Sequence, residues 1–535
     1  MPETTEATPV SASREAPWVP KFNPWLIAVV VAMAAFMEVL DTSIANVALP
    51  HMAGDLGASN DQSTWVLTSY LVSNAIVLPI SGWLAGLFGR RRFFLMCIVL
   101  FTVSSLLCGA APSLAALIVF RVIQGVGGGG LQPMAQAILA DVFPPEKRGM
   151  AFALYGITAV TAPTIGPTLG GWITDNYSWR WIFYINLPVG ILTLFLAARL
   201  VEDPPWLKRA KAAVRIDYIG IALLALGVGA LQVLLDKGQE DDWFGSRFIV
   251  TLIAVSAVCL VSLVIREWFY SAPIIDVRLF KSFNFAMSNL MMFVLGLSLF
   301  SALVMMPQFL QTLLGYTAES AGLVLSGSGL VLLLEMPLVG VLTSKFPTKY
   351  IISFGWIVLA LAMFYSTQRL DLSIDFRSAA WLRVAQGAGL GFLFVPISLA
   401  CYIGIPPEKS SSVSGIVNFM RNIGSSVGTS MVTTLLARRA QLHQAYLASH
   451  ATSYDPAFRN QVSGLAQTLV HSGLSAPDAK VQAMGRIYQS LLAQSQALAY
   501  IDTFMVLAIG AGMMFLLSFI LSRNDPTAGS RIAVE

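Results

Sequence analysis

Long apolar runs separated by short polar breaks recur along this 535-residue chain. They fall near residues 25–49, 63–86, 93–111, 113–138, 151–173, 180–200 and 217–235, then 248–269, 284–310, 319–342, 349–367, 379–404, 411–436 and 499–522. At 1.5 Å rise per residue, each is long enough to cross a hydrocarbon core of about 30 Å as a helix. A membrane β-barrel would need strands of alternating polarity, about ten residues each, and the runs do not alternate. The pattern predicts an all-α membrane protein with 14 transmembrane helices. Two polar breaks are longer than the rest: Asp203 to Asp217, and Arg438 to Leu498. In the second, Val481, Met484, Ile487, Tyr488, Leu491 and Leu492 fall at helical spacing, which predicts an amphipathic helix. A cap on the outer membrane surface and a docking surface for a partner protein both fit it.

Composition agrees. The chain is 56% hydrophobic and 12% charged, where a soluble domain carries about a quarter charged residues. The net charge of +4 comes from short basic clusters between apolar runs, a pattern of membrane loops and not of a nucleic-acid surface. One set of connections holds Arg90, Arg91, Arg92, Lys147, Arg148, Lys208, Arg209, Lys211, Arg215, Arg278, Lys281, Lys345, Lys349 and Lys409. The alternate short connections hold only Arg180, Lys237, Arg247, Arg369 and Arg377. The positive-inside rule then predicts both termini in the cytoplasm. Cys97, Cys108, Cys259 and Cys401 lie inside apolar runs and read as packing residues. His51, His443, His450 and His471 lack metal-ligand spacing. No nucleotide-binding motif is present either, so direct ATP drive is not supported and no enzyme, metal or cofactor is expected.

The chain also repeats itself. Arg121-Val-Ile-Gln124-Gly125-Val-Gly127 recurs as Arg383-Val-Ala-Gln386-Gly387-Ala-Gly389, and Pro144-Pro145-Glu146-Lys147 as Pro406-Pro407-Glu408-Lys409, both 262 residues on. Spans four and twelve are therefore equivalents. The expected organisation is a cytoplasmic tail 1–24, a six-helix half 25–203, a linker with two inserted helices 204–283, a second six-helix half 284–522 containing a long periplasmic loop 437–498, and a cytoplasmic tail 523–535. Repeats with a site between them at mid-membrane are a transporter design.

Ionisable groups inside the spans are few: Glu38, Asp41, Arg121, Glu335 and Arg421, with Arg383 nearer an edge. Each carries an insertion penalty of about 2.5–3.5 kcal/mol at mid-membrane, so each calls for a partner or a wet cavity. Glu38 and Asp41 share a helix face. Asp41 and Arg121 each lie eight residues from the same membrane surface, roughly 12 Å deep. That places a carboxylate beside a fixed guanidinium, which suits either proton coupling or a static structural pair. Glu335 suits a proton or substrate role, or a contact with Arg421. Met305, Met306, Gln308, Phe309 and Gln311 mix adaptable apolar groups with amides, as a permissive pocket does, although helix packing explains Met and Phe equally. Tyr70 and Asn74, one turn apart, are similar candidates, as is Gln124. Gly127 to Gly130 lack a following Lys-Ser or Lys-Thr and read as close helix packing, not a phosphate cradle.

These residues resemble the EmrB-type, 14-span drug:proton antiporters of the major facilitator superfamily. The resemblance rests on Leu40-Asp41-Thr-Ser-Ile-Ala-Asn46-Val-Ala-Leu-Pro50, Trp65-Val-Leu-Thr-Ser-Tyr70, Arg121-x-x-Gln124-Gly125 and Trp179-Arg180-Trp181-Ile-Phe-Tyr-Ile-Asn186-Leu-Pro188, and on the antiporter motif Gly156, Pro163, Gly166, Pro167, Gly170 and Gly171. It implies the major facilitator fold with two extra helices, and proton-driven efflux of lipophilic or amphipathic compounds across a bacterial inner membrane. It also implies an antileak role for the antiporter motif, and a periplasmic adaptor and an outer-membrane channel as partners. The chain departs from it at the gate between spans two and three. Gly82, Gly89 and Arg90 are kept, but Gly86 stands where the family carries an acid, so closure by packing and basic contacts alone is expected. The competing readings are a dedicated exporter of one metabolite, such as a siderophore or a fatty acid, and a receptor or scaffold that transports nothing.

Overall fold

The computed structural model describes residues 20–205, 216–452 and 454–522. The tail 523–535, most of the tail 1–24, and Lys208, Arg209, Lys211 and Arg215 lie outside the described residues.

Every regular element among the described residues is helical. The spans are α1 (Pro24–Asp55), α2 (Trp65–Phe88), α3 (Arg90–Gly109), α4 (Leu114–Val142), α5 (Pro145–Asn176), α6 (Trp181–Leu200), α7 (Tyr218–Lys237) and α8 (Arg247–Phe269). They continue as α9 (Phe283–Thr312), α10 (Ala318–Lys345), α11 (Thr348–Arg369), α12 (Phe376–Ala400) and α13 (Ser410–His450). After α14 (Pro456–His471), which is no span, α15 (Ala476–Ser518) closes the set. Local chemistry sets their starts. Asn23 caps α1, its side chain accepting from the Trp25 amide at 2.9 Å ahead of Pro24, and Asp217 caps α7 through the Gly220 amide at 2.9 Å. Between α2 and α3 the chain turns at Gly89, whose φ of 90° suits a residue without Cβ.

Thirteen helices among the described residues are long and apolar enough to span a membrane. The fourteenth expected span is α13, rich in Ser, Thr and Asn. It tolerates that polarity because it packs against α2, α4, α9 and α15, and Ser414, Asn418 and Ser430 are buried in the protein.

The stretch expected as a loop at 437–498 is mostly helix. α13 runs on to His450, and α15 begins at Ala476, well ahead of its apolar part. α14 and the start of α15 bury Leu469, Ala479 and Ala483 against each other, a different face of α15 from the expected one, whose Val481, Met484 and Tyr488 are exposed.

The first six spans pack chiefly among themselves, as do α9–α13 and α15. The two groups meet along α5 against α10 and along α2 and α4 against α13. α7 lies across the second seam. It reaches α2 through Asp236 with Thr68 and through Lys237 with Thr64 (2.6 Å), and α13 through Gln232 with Ser426 (2.9 Å).

Candidate functional site

The polar residues of the membrane interior gather into two linked clusters. The first is built on Asp41. One carboxylate oxygen takes the Arg121 guanidinium at 2.5 Å; the other accepts from Gln124 at 2.9 Å and from Asn186 at 2.7 Å. Arg121 also donates to the Gln124 side chain (2.8 Å) and to the Val66 carbonyl (3.1 Å), and Asn186 to Ser105 (3.0 Å). Three helices, α1, α4 and α6, thus meet at one carboxylate, and α3 joins them through Ser105. Asp41 is 2% exposed and Arg121 0%, so solvent contributes nothing to their pairing. Removing one partner of such a buried pair destabilises by about 3–5 kcal/mol.

The second cluster surrounds Glu38, one turn away on α1. Tyr70 donates to it at 3.0 Å, Asn74 at 3.1 Å, and the Gln132 amide sits on its other oxygen. The Gln132 carbonyl accepts in turn from Tyr155 (3.0 Å) and from Arg421 of α13. This cluster therefore spans the seam between the two groups of helices. Tyr70 joins the clusters, since its hydroxyl serves Glu38 while Arg121 lies 4.3 Å over its ring.

A third contact lies at the end of the bundle that carries the basic loops. Arg90 pairs with Asp141 at the end of α4 and donates to Ser411 and Ser410, each at 3.0 Å, while Ser410 donates to Asp141 at 3.0 Å. This corrects the expectation of closure by packing and basic contacts alone. The acid missing at Gly86 is supplied from a different helix. Gly82 lets α2 approach α13 so closely that a Cβ there would lie 2.6 Å from the Ser412 backbone.

The antiporter-motif residues line both sides of α5. Gly166 and Gly170 face Ser43 and Ile44 of α1, while Gly156 faces Met336 of α10. Pro163 and Pro167 lie inside the helix, and the Pro163 carbonyl accepts from Ser43 at 3.3 Å. Gly171 is looser, with only Val47 nearby.

Other candidates are separated. Met305, Met306 and Phe309 are buried, with the Phe309 ring 5.2 Å from Tyr500. Gln308 points about a quarter-turn from Phe309 and Gln311 nearly opposite to it, and both are exposed, so the five do not form one lining. Among the described residues Glu335 makes no ion pair. Its Oε2 is buried without a partner against Gly391, and Arg421 reaches Gln132 and the Phe394 ring instead. Of the two readings of Glu335, the contact with Arg421 is therefore not made. Sequence reasoning passed over Gln132, Gln136 and Asn418, although Gln132 and Gln136 stand one turn apart in the otherwise apolar stretch Leu131–Ala140; Asn418 donates to Gln136 at 2.8 Å. An apolar groove of about 370 Å³ opens beside α1, lined by Val29, Ala32, Met33, Phe36, Leu154, Thr158 and Val189.

The chain is 42% identical over 433 residues to the multidrug export protein EmrB of Haemophilus influenzae, covering 81% of this chain and 84% of that one. It is 38% identical over 446 residues to the EmrB of Escherichia coli, covering 83% and 86%. Among solved structures, the proton:xylose symporter XylE superposes with a TM-score of 0.59 at 13% identity, over 94% of this chain and 97% of that one, a likeness of fold alone. The Major Facilitator Superfamily profile matches residues 31–429, and with relatives this similar over most of its length, the chain belongs to that superfamily.

Proposed function

We propose that this protein is a proton-coupled exporter of lipophilic or amphipathic small molecules that works by alternating access. The observation that carries this reading is the joining of three helices, α1, α4 and α6, at the Asp41 carboxylate, with a second acid, Glu38, linked to it through Tyr70 and to α13 through Gln132 and Arg421. A proton on Asp41 removes its charge and weakens its hold on Arg121, Gln124 and Asn186. Because these groups come from α1, α4 and α6, protonation changes how the first six spans hold together. Through Glu38 and Gln132 the same change bears on the seam with α13. The names of the relatives, multidrug export proteins, support drugs as the substrate class. The 370 Å³ groove beside α1 gives lipophilic compounds an apolar approach.

With the basic loops on the cytoplasmic side, both termini are cytoplasmic, and the Arg90–Asp141–Ser410 contact closes the transporter toward the cytoplasm. The relatives support an inner-membrane location. The helical extensions of α13 and α15 then stand in the periplasm, where exposed Leu442, Tyr446, Met484 and Tyr488 offer an apolar surface to an adaptor protein and, beyond it, an outer-membrane channel. Deleting Gln441–Ala497 should abolish co-purification with the adaptor; retained binding counts against that partnership.

The central test is proton flux in reconstituted vesicles, comparing the parent with Asp41→Asn as drug is added. Substrate-triggered proton release that disappears in the folded variant supports coupling at Asp41. Full coupling in Asp41→Asn makes the Asp41–Arg121 pair structural and moves the carrier to Glu38 or Glu335.

A further inference from the structure

The second repeat holds the same frame as the first but without its acid. Arg383 and Gln386 of α12 stand where Arg121 and Gln124 stand in α4, and the neighbours correspond. Gln386 bonds Ser366 of α11 at 3.0 Å, as Gln124 meets Cys108 of α3 at 3.5 Å. Gly387 packs on Ser328 as Gly125 packs on Tyr70 and Ser73, and Gly389 on Leu359 as Gly127 packs on Phe101. The equivalent of α1 is α9. Aligned through Pro50 and Pro307, it puts Ser298 in the place of Asp41, and no Asp or Glu occurs anywhere in Phe283–Thr312. α11 and α12 carry none either. On α10, Glu335 lies beside Gly391, two turns farther along α12, and the sequence puts Glu319 at the start of α10.

Arg383 is 2% exposed, yet among the described residues it pairs with no carboxylate. Its Nη1 donates to Gln386 at 2.9 Å, and its Nε is buried without a partner. An unpaired buried guanidinium is unfavourable unless an anion completes it, and its planar fork matches a carboxylate. In the first repeat, that same Arg–Gln frame is filled by a carboxylate from the chain itself.

We propose that Arg383, with Gln386, receives the carboxylate of an amphipathic anion, so that the ligand's own acid group takes in the second repeat the place Asp41 fills in the first. The apolar helices around the frame suit a lipophilic body behind the acid. This assignment deepens the exporter reading and rests on it for the ligand's route, but not for the binding itself.

The test is equilibrium binding of 1-pyrenebutyrate, followed by its fluorescence, to the purified full-length protein in detergent, with its methyl ester as the uncharged control. Arg383→Gln should weaken binding of the acid by about ten-fold or more while leaving the ester within about two-fold. Ser298→Asp, which supplies the missing carboxylate and should keep the protein folded, should weaken the acid likewise; unchanged melting curves confirm folding. A parent that binds no acid, or acid binding unchanged in both variants, overturns the proposal. Displacement by millimolar chloride reassigns the site to an inorganic anion and also overturns it. So does Glu319→Gln raising the affinity for the acid about ten-fold, which makes Glu319 the resident counter-ion. A parent that binds the acid through Arg383 yet moves no protons with any substrate refutes the exporter reading and leaves this site standing.

Discussion

Gly82→Ala places one methyl group at the closest approach of α2 and α13. Its Cβ would lie 2.6 Å from Cα and N of Ser412 and 2.8 Å from the carbonyl carbon of Ser411. These are backbone atoms, so no side chain can rotate away, and the helices have to part by roughly 1 Å to restore van der Waals contact. Overpacking of this kind is unfavourable by about 1–3 kcal/mol. In a protein that alternates between two states, only the state in which α2 touches α13 bears that penalty. The ratio of parted to touching molecules should rise by about five- to 150-fold. The assay is pulsed EPR between spin labels at Arg92→Cys and Glu408→Cys, two exposed positions on either side of the contact, with half-buried Cys259 replaced by Ser. Gly82→Ala should shift the distance distribution toward a longer component. Gly86→Ala, one turn along with nothing within 4 Å of its added Cβ, should not. An unchanged distribution in Gly82→Ala, or an equal shift in Gly86→Ala, refutes the steric account.

Two further outcomes follow from the same packing. Gly125→Ala drives a Cβ to 2.5 Å from the Tyr70 carbonyl and into Ser73, so it should lower stability by about 1–3 kcal/mol, seen as a lower melting temperature in detergent. Asp141→Asn leaves the Arg90 guanidinium, 1% exposed, without its carboxylate, and the EPR pair at Arg92 and Glu408 should report the parted state more often. A distribution like the parent's would show that the two serines alone hold Arg90.

Much of this architecture is legible in hydropathy, because in a bilayer every backbone polar group has to be satisfied within its own helix and spans become long apolar runs. The depth argument that brings Asp41 level with Arg121 works for the same reason: two helices crossing one slab share a ruler. The misreadings occur where that ruler carries no information. Depth says nothing of azimuth, so it offers Glu335 an Arg421 that faces Gln132 as one of its two readings, and it groups Gln308 and Gln311 with a Phe309 that points elsewhere. Asp141 was missed because its partner, Arg90, belongs to another helix, and no local pattern joins the end of α4 to the start of α3. The helical extensions of α13 and α15 are polar outside the membrane, where hydropathy is silent and only the spacing of Val481, Met484 and Tyr488 hints at a helix.

Tyr70 separates the two acids experimentally, because it serves each with a different part of one side chain. Tyr70→Phe removes the hydroxyl that donates to Glu38 at 3.0 Å and keeps the ring under Arg121. Tyr70→Leu removes both. A desolvated cation–π contact contributes about 2 kcal/mol, so losing the ring loosens Arg121 and its grip on Asp41, whereas losing the hydroxyl leaves Glu38 still bonded to Asn74 and Gln132. If Asp41 carries the coupling, substrate-triggered proton release in vesicles should survive in Tyr70→Phe and fall by about ten-fold or more in Tyr70→Leu. The opposite requires Glu38: a coupling already lost in Tyr70→Phe, with Arg121 and Asp41 undisturbed, would move the proton one turn along α1 and make the Asp41 cluster the scaffold that holds Glu38 in place.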